Sequence, residues 1–464
     1  MRILHVGDDF AALRPCGLTL YSDALIHGQA RAGHDVGYLF SGRHYPGLER
    51  PWLRRRRRGG VRTFELVNSP LHAHWEAGTL EPARDLAEPA GEAAIATAIR
   101  ELRPQVVHVH ELAGLPSSVL DLARQGGAAV VMTLHDYKPV CASVRLLDAD
   151  GRRCERREVG EDCARNCAAA PSGRGHLVAH TVDYELARAK RAVPIVRHVD
   201  FAFLTRGRRA APARAPAVSS RTAPPADYQR RRDVNLARLG RCDRLIAPSR
   251  RVADIYARLG VPRERLCVQR LTLPHLDRLR PRRVEAAPVT VTFATLGGAA
   301  SPAKGAHVLL DAARRLAGES FRLRVLGHVD PAVAAGLAAL DQVTLEGPYA
   351  TGELDARLEG VDVGIVPSVW EESHGFVGPE LLAKGIPVIG SALGGIPEYV
   401  RDGETGWLNR SASGEELARH MLEAIRDPAR VLALHRSVVA RRAELVRPMT
   451  AHLDEVEALY RSLS

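Results

Sequence analysis

Two glutamates eight positions apart, Glu372 and Glu380, bracket a turn of small residues, Gly375-Phe376-Val377-Gly378. An apolar strand, Ile386-Pro387-Val388-Ile389, comes next, and then a second glycine turn at Gly394-Gly395. Glycines let backbone N–H groups approach an anion closely, and a helix beginning near Pro379 would aim its positive end at the same place. A carboxylate one turn inside that helix is placed to accept hydrogen bonds from sugar hydroxyls. Phosphate and hydroxyl readers side by side describe a nucleotide-sugar site. The competing reading is an ordinary helix–strand unit with two solvated glutamates.

Other groups with chemical potential lie upstream. Gly297-Gly298-Ala299-Ala300-Ser301-Pro302-Ala303-Lys304-Gly305 follows an apolar run, and a cation at Lys304 would stabilise charge building on a leaving diphosphate. The alternative is a surface lysine ahead of a helix. In the N-terminal half, Val106-Val107-His108-Val109-His110-Glu111 and Thr133-Leu134-His135-Asp136-Tyr137 end predicted strands, where parallel sheets place their ligand clefts. His108 and His110 fit equally well as a core histidine and a structural hydrogen-bonder. Asp148-Ala149-Asp150 has the form of a metal-binding acidic pair, but Gly151 after it reads better as a hairpin turn.

Cys141, Cys154, Cys163 and Cys167 cluster, while Cys16, Cys242 and Cys267 are scattered. In a reducing compartment such a cluster favours a metal over disulfides, and four thiolates would close a structural zinc site. The spacing lacks paired Cys-x2-Cys knuckles, so reduced, unpaired thiols remain the other reading.

The Glu372-x7-Glu380 pair followed by Ala383-Lys384-Gly385-Ile386-Pro387-Val388 resembles the donor-site signature of family 4 retaining glycosyltransferases (glycosyl transferases group 1), Glu-x7-Glu then Ala-x-Gly-x-Pro-Val. The resemblance implies the GT-B architecture, two Rossmann-like doubly wound parallel-sheet domains facing across a cleft. It implies that Glu380 binds the nucleotide ribose, that Glu372 touches the transferred sugar, and that Gly298, His374, Gly375, Phe376 and Val377 line the donor. Lys304 matches the lysine of the family loop Gly-Arg-Leu-x-Pro-x-Lys-Gly, whereas Ala299 stands where its arginine is expected. Either another arginine fills that role, or Lys304 and backbone amides hold the donor, or activity is reduced. His374 replaces a common phenylalanine. His135 matches a histidine that reaches the transferred sugar, with His110 and Asp136 on the acceptor side. Gly17 sits where the family uses glycine, usually a pair, to make room for the diphosphate. A subset of the family carries a similar cysteine insertion. No catalytic cofactor or metal is implied.

The elements that must hold these groups are short apolar strands alternating with helical patterns, the mark of doubly wound parallel sheets. The predicted strands are Ile3–Val6, Val36–Phe40, Val106–His110, Val130–Leu134, Arg244–Ala247, Val289–Ala294, Leu323–Leu326, Val363–Val366 and Pro387–Ile389. An acceptor-side domain is expected over 1–275, with insertions at about 138–170 and 206–227. A nucleotide-sugar domain is expected over 285–445, and a closing helix within 446–464 packing back on the first domain. The Pro/Arg-rich Leu271–Pro288 reads as the linker.

At 464 residues, 45% hydrophobic and 26% charged, the chain has the composition of two globular domains, with no apolar run of the roughly 18 residues a membrane span needs. Met1–Gly7 reads directly as a first strand, which predicts a cytoplasmic protein, peripheral on the inner membrane face at most. The formal charge of +11 calls for an anionic partner, although the arginine bias also fits genome composition. Arg54–Arg58 is either a solvated loop or a contact with anionic lipid or a phosphorylated acceptor. Nucleic acid is not expected, because aromatics are only 5% of the chain. The expected partners are a UDP- or GDP-sugar and a saccharide or lipid-linked acceptor, in cell-surface polysaccharide or glycoconjugate synthesis. Three rivals stand beside this: a non-catalytic nucleotide-sugar-binding scaffold, a sugar-nucleotide epimerase and a phosphorylase.

Overall fold

The computed structural model describes residues 1–8, 16–45, 50–71, 79, 81–148, 150–167, 182, 185–186 and 223–463. The chain divides into two compact units. The first comprises Met1–Ala247, Ala253–Val268 and Val456–Ser464; the second comprises Pro248–Val252 and Gln269–Glu455.

The first unit is built on β1 (Arg2–Gly7), β2 (Asp35–Ser41), β3 (Trp52–Arg58), β4 (Val61–Val67), β5 (Val106–Val109), β6 (Ala129–Thr133), β7 (Arg244–Ala247) and β8 (Leu266–Val268). Their order in the sheet is β3-β4-β2-β1-β5-β6-β7-β8. All pairings are parallel except β3–β4. Strands such as Val106–Val109 are buried along their whole length, as a parallel sheet covered on both faces requires. Strand order reverses between β1 and β5, so this is the unit's switch point.

The arginine run is not a loop. It is the edge strand β3, paired residue for residue with β4 from Trp52↔Val67 to Arg58↔Val61. The turn between them, Gly59-Gly60, has φ of +54° and +84°, the left-handed conformation that a two-residue hairpin of this twist demands. A Gly-Gly pair between two strand-length runs was the signal for this hairpin, but five consecutive charges hid the strand.

The second unit carries β9 (Val291–Leu296), β10 (Phe321–Leu326), β11 (Val343–Gly347), β12 (Val363–Val366), β13 (Val388–Ser391) and β14 (Gly406–Asn409). The order is β11-β10-β9-β12-β13-β14, parallel throughout. This is the dinucleotide-fold order, with its switch point between β9 and β12. Its core packs Phe293, Leu309, Leu323, Val325, Ile365 and Met421 against the sheet.

Leu271–Pro288, expected as a linker, packs within the second unit. Leu271, Leu273, Leu276 and Leu279 are buried, and Arg282 lies 3.4 Å from Asp362. The grouping therefore changes at Val268/Gln269. The helix Met449–Arg461 is shared, its residues to Glu455 grouped with the second unit and the rest with the first. Residues 206–222 of the predicted insertion lie outside the described residues; Pro225–Arg241, beyond them, is helical. No described helix is long and apolar enough to cross a membrane.

Candidate functional site

In the second unit the two loops leaving the switch point meet. Lys304, from the loop after β9, places Nζ 2.6 Å from Glu372 Oε1 in the loop after β12. Ser368 donates its hydroxyl to the same oxygen at 2.7 Å, and the ammonium lies 5.2 Å from the Trp370 ring centroid. Glu372 is buried whereas the Lys304 side chain is 43% exposed, so the pair offers its cation outward. Burial pushes the Glu372 pKa up, but Lys304 and the Ser368 and Trp370 hydrogen bonds outweigh it and hold the carboxyl below its ordinary value. It is ionised at neutral pH.

A second pair stands beside the first. The Arg251 guanidinium grips both oxygens of Glu371, and Oε2 also accepts Gly394 N–H at 2.8 Å. Gly394 has a φ of +58°, and a Cβ there would fall 2.0 Å from the Glu372 carbonyl oxygen. Only glycine permits this approach, which fixes the 371–372 backbone. That is a structural reason for the second glycine turn.

The helix carrying Glu380 runs from Val377 to Ala383, starting two residues before the expected Pro379. Glu380 Oε1 meets His275 Nε2 at 2.7 Å. His275 comes from the supposed linker and was not foreseen; the leucines around it were the available signal. Tyr349 also senses Glu380, although burial is the larger cause of its raised phenol pKa. The Gly375-to-Gly378 turn packs on Tyr399, which donates its hydroxyl to the Gly375 carbonyl at 3.1 Å. A Cβ on Gly378 would strike the Tyr399 ring at 2.0 Å.

His374 is fully buried, its ring 5.1 Å from that of Phe376. Burial first, and the Arg270 charge second, lower its pKa to about 4. It is neutral at pH 7 and brings no charge to an anion. Gly298 packs on Thr295 and Pro367. Ala299 is enclosed in the hydrophobic core, so no cation stands at the expected arginine position.

The first unit gathers a different set. His110 Nε2 and His5 Nδ1 share a hydrogen bond of 2.9 Å, and His5 Nε2 meets Gln29 at 2.7 Å. His108 bonds Tyr460 at 2.5 Å and Thr133 at 2.8 Å. The His135 ring packs edge-on to Tyr21, with centroids 5.1 Å apart, and lies 5.8 Å from His110. Burial drives the His5 pKa down to about 4 and that of His110 well below normal, so both are neutral. Asp136 is partly exposed and accepts the Lys138 N–H at 2.8 Å. Glu111, buried beside it, has its pKa pushed well up, first by burial and then by Asp136, with Lys138 only partly offsetting them. Both influences favour its protonated form, which hydrogen-bonds Asp136. Gly17 opens the helix Gly17–Arg31, while residues 9–15 of the loop before it lie outside the described residues.

Among the described residues, His5, His108 and His110 form the one group of three ligating atoms within 4.8 Å of one another. Mutual, Gln29, Thr133 and Tyr460 hydrogen bonds already engage five of their six ring nitrogens. The cysteine sulfurs do not form such a group. Cys163 and Cys167 share a hydrogen bond, which with Arg232 and Arg231 lowers the Cys163 thiol to about 7 against the upward push of burial. All seven cysteines are free thiols. Cys163, Cys141 and Cys154, three of the four expected zinc ligands, all act electrostatically on the fourth, Cys167. Asp148 spends its carboxylate on Asp150 and Arg152 N–H groups, inside a hairpin turn.

Comparison with known proteins places this geometry. Residues 290–427 match the family Glycosyl transferases group 1. A putative colanic acid biosynthesis glycosyltransferase, WcaL of Escherichia coli, is 31% identical over 187 residues, which are 37% of this chain and 45% of that protein. The chain thus spans about half the length of such curated relatives. Among solved structures, sucrose-phosphate synthase from Thermosynechococcus elongatus aligns with a TM-score of 0.65 at 18% identity, covering 100% of this chain and 99% of the other. HepE of Anabaena, solved with UDP-glucose, gives 0.58 at 14%, covering 99% of both. Residues 290–427 are thus similar to the group 1 glycosyltransferases, and the chain has the GT-B fold of these solved structures.

Proposed function

We propose that the chain transfers a sugar from a nucleotide-diphosphate sugar to a saccharide or lipid-linked acceptor, with retention of anomeric configuration, in cell-surface polysaccharide or glycoconjugate assembly. The observation that carries this reading is the Lys304–Glu372 pair at the switch point of a sheet whose sequence matches group 1 glycosyltransferases. Lys304 would neutralise the leaving diphosphate, Glu372 would hold the transferred sugar, and Glu380 would accept from the ribose hydroxyls. His135, with His110 and Asp136 near it, would serve the sugar and acceptor as hydrogen-bonding groups. The structure of HepE with UDP-glucose makes UDP the first nucleotide to try, and the likeness to WcaL supports a polysaccharide acceptor. Same-face attack, with a diphosphate oxygen taking the acceptor's proton, is the route proposed.

Calorimetry with UDP, GDP, ADP and dTDP on wild type and Glu380→Gln tests the donor site. Tight binding of one nucleotide, weakened by the substitution, supports it; no binding of any overturns it. Product NMR showing an inverted anomer would sink the retaining route. The enclosed Ala299 favours a second reading, a nucleotide-sugar-binding protein without transfer. Nucleotide binding without turnover on any acceptor would select it.

A further inference from the structure

The edge strand β3 carries more positive charge than edge protection requires. Edge strands commonly hold a charge or two that blocks pairing with another chain. Here five guanidinia follow one another on the last strand of an eight-stranded sheet. Side chains alternate along a strand, so Trp52, Arg54, Arg56 and Arg58 lie on one face and Leu53, Arg55 and Arg57 on the other. Arg55 is answered by Glu101 of the helix Pro89–Leu102, at 2.9 Å. The cross-strand neighbours of the first face are Val67, Glu65, Thr63 and Val61. The single carboxylate among them, Glu65, is buried and bound to Arg43. Among the described residues, Arg54, Arg56 and Arg57 meet no carboxylate, and Trp52, at 42%, is the one exposed aromatic.

We propose that this edge docks the protein on a bilayer rich in anionic lipid, its arginines on head-group phosphates and Trp52 at the interface. The geometry favours a flat anionic surface over a single anion, because the guanidinia are strung along roughly 13 Å of strand instead of converging on a point. Arginine suits phosphate through its two-pronged donor geometry, and tryptophan concentrates where bilayer and water meet. The formal charge of +11 adds long-range attraction of the same sign. This inference does not depend on the proposed sugar transfer, and its readout is lipid binding alone.

The test is co-sedimentation of the full chain with phosphatidylcholine vesicles, with and without phosphatidylglycerol. The protein is expected to bind the anionic vesicles only, and less so as salt rises. Replacing Arg54, Arg56 and Arg57 together by Gln should weaken partitioning about a hundredfold, from roughly one kcal/mol per guanidinium. Trp52→Leu should lower it several-fold and abolish the vesicle-induced fluorescence shift. Circular dichroism melts must match wild type, as substitutions on an exposed edge allow. A control triple, Arg263→Gln, Arg410→Gln and Arg419→Gln, removes the same charge elsewhere; an equal loss there would overturn the assignment. So would undiminished binding of the β3 variant. Binding of soluble polyphosphate as tight as that of vesicles, indifferent to Trp52, would replace the membrane with a soluble polyanion and overturn the proposal too.

Discussion

The two sheets share one strand order about their switch points once β3 and β8 are set aside, yet they hold opposite electrostatics there. In the second unit the loops after β9 and β12 hold ion pairs, Lys304 with Glu372, and Glu371 with Arg251 of the segment Pro248–Val252. In the first unit the ends of β1 and β5 hold groups that burial pushes toward their neutral forms, His5, His110 and Glu111. The difference lies in the partners. A buried group with a counter-ion keeps its charge, whereas one surrounded by other rings or carboxyls gives it up. Charge suits a diphosphate; neutral donors and acceptors suit hydroxyls, which they can bind without a large desolvation cost.

The largest test of that contrast is Lys304→Ala. It removes the outward cation and leaves buried Glu372 with only its Ser368 and Trp370 contacts. Turnover should fall by about two to three orders of magnitude, the usual loss of a preorganised electrostatic stabiliser. The fold should lose about 1–3 kcal/mol, the cost of a buried acceptor deprived of a partner. Steady-state kinetics with the best-binding nucleotide sugar, and a urea melt, read both. A loss under tenfold would place the diphosphate charge elsewhere, and Arg270 beside His374 is then the next residue to remove.

Acid should expose the neutral histidines. His374 titrates at about 4 when folded against 6.5 in its ordinary state. Its contribution to stability is present above 6.5 and is lost as pH falls through that window to about 4, on the order of 3 kcal/mol for one fully buried ring. His5 acts in the same sense. His374→Phe should flatten part of this acid slope in chemical denaturation. An unchanged slope would mean that His374 gains solvent or a carboxylate on protonation.

His275→Ala is expected to act more mildly. It takes from Glu380 its 2.7 Å partner without touching the ion pairs. Nucleotide affinity should drop about tenfold, since one hydrogen bond to a charged group is worth roughly 1.5 kcal/mol or more. Unaltered calorimetric affinity would show that Glu380 is oriented by its helix alone.

Both switch points were legible because their chemistry sits in short local motifs at strand ends. Lys304, Glu372, Glu380, His135 and Asp136 could each be placed near strand ends from spacing together with the family resemblance. Five strands, β3, β4, β8, β11 and β14, could not. β3 was masked by its arginines, β8 has three residues, and β11 and β14 carry polar or glycine positions that weaken their apolar pattern. The partners that set each group's charge state escaped for another reason. His275 meets Glu380 across 105 positions, Arg251 meets Glu371 across 120, and His108 meets Tyr460 across 352. Such pairings depend on how the sheet brings distant loops together, and no local period records them. Composition even misled, since proline and arginine in Leu271–Pro288 suggested a linker where four buried leucines form packing.

The smallest expected effect is the sharpest probe of neutrality in the first unit. The folded pKa of Glu111 is raised above its ordinary 4.5. The stability tied to its protonated form is complete below that value and is lost as pH rises through the folded pKa. Glu111→Gln keeps the shape and a donor toward Asp136, so at mildly acidic pH it should change stability by no more than about 0.5 kcal/mol. At alkaline pH the variant should become the more stable protein, because wild type then pays for ionising a buried carboxyl beside Asp136. Asp136→Asn should behave differently, costing about 1–3 kcal/mol near neutrality by weakening the acceptor for Lys138 N–H and Glu111. Urea unfolding of both variants at acidic and alkaline pH separates the cases. Equal, large losses from both substitutions would mean two ionised carboxylates sharing Lys138, and the first unit would then hold charge just as the second does.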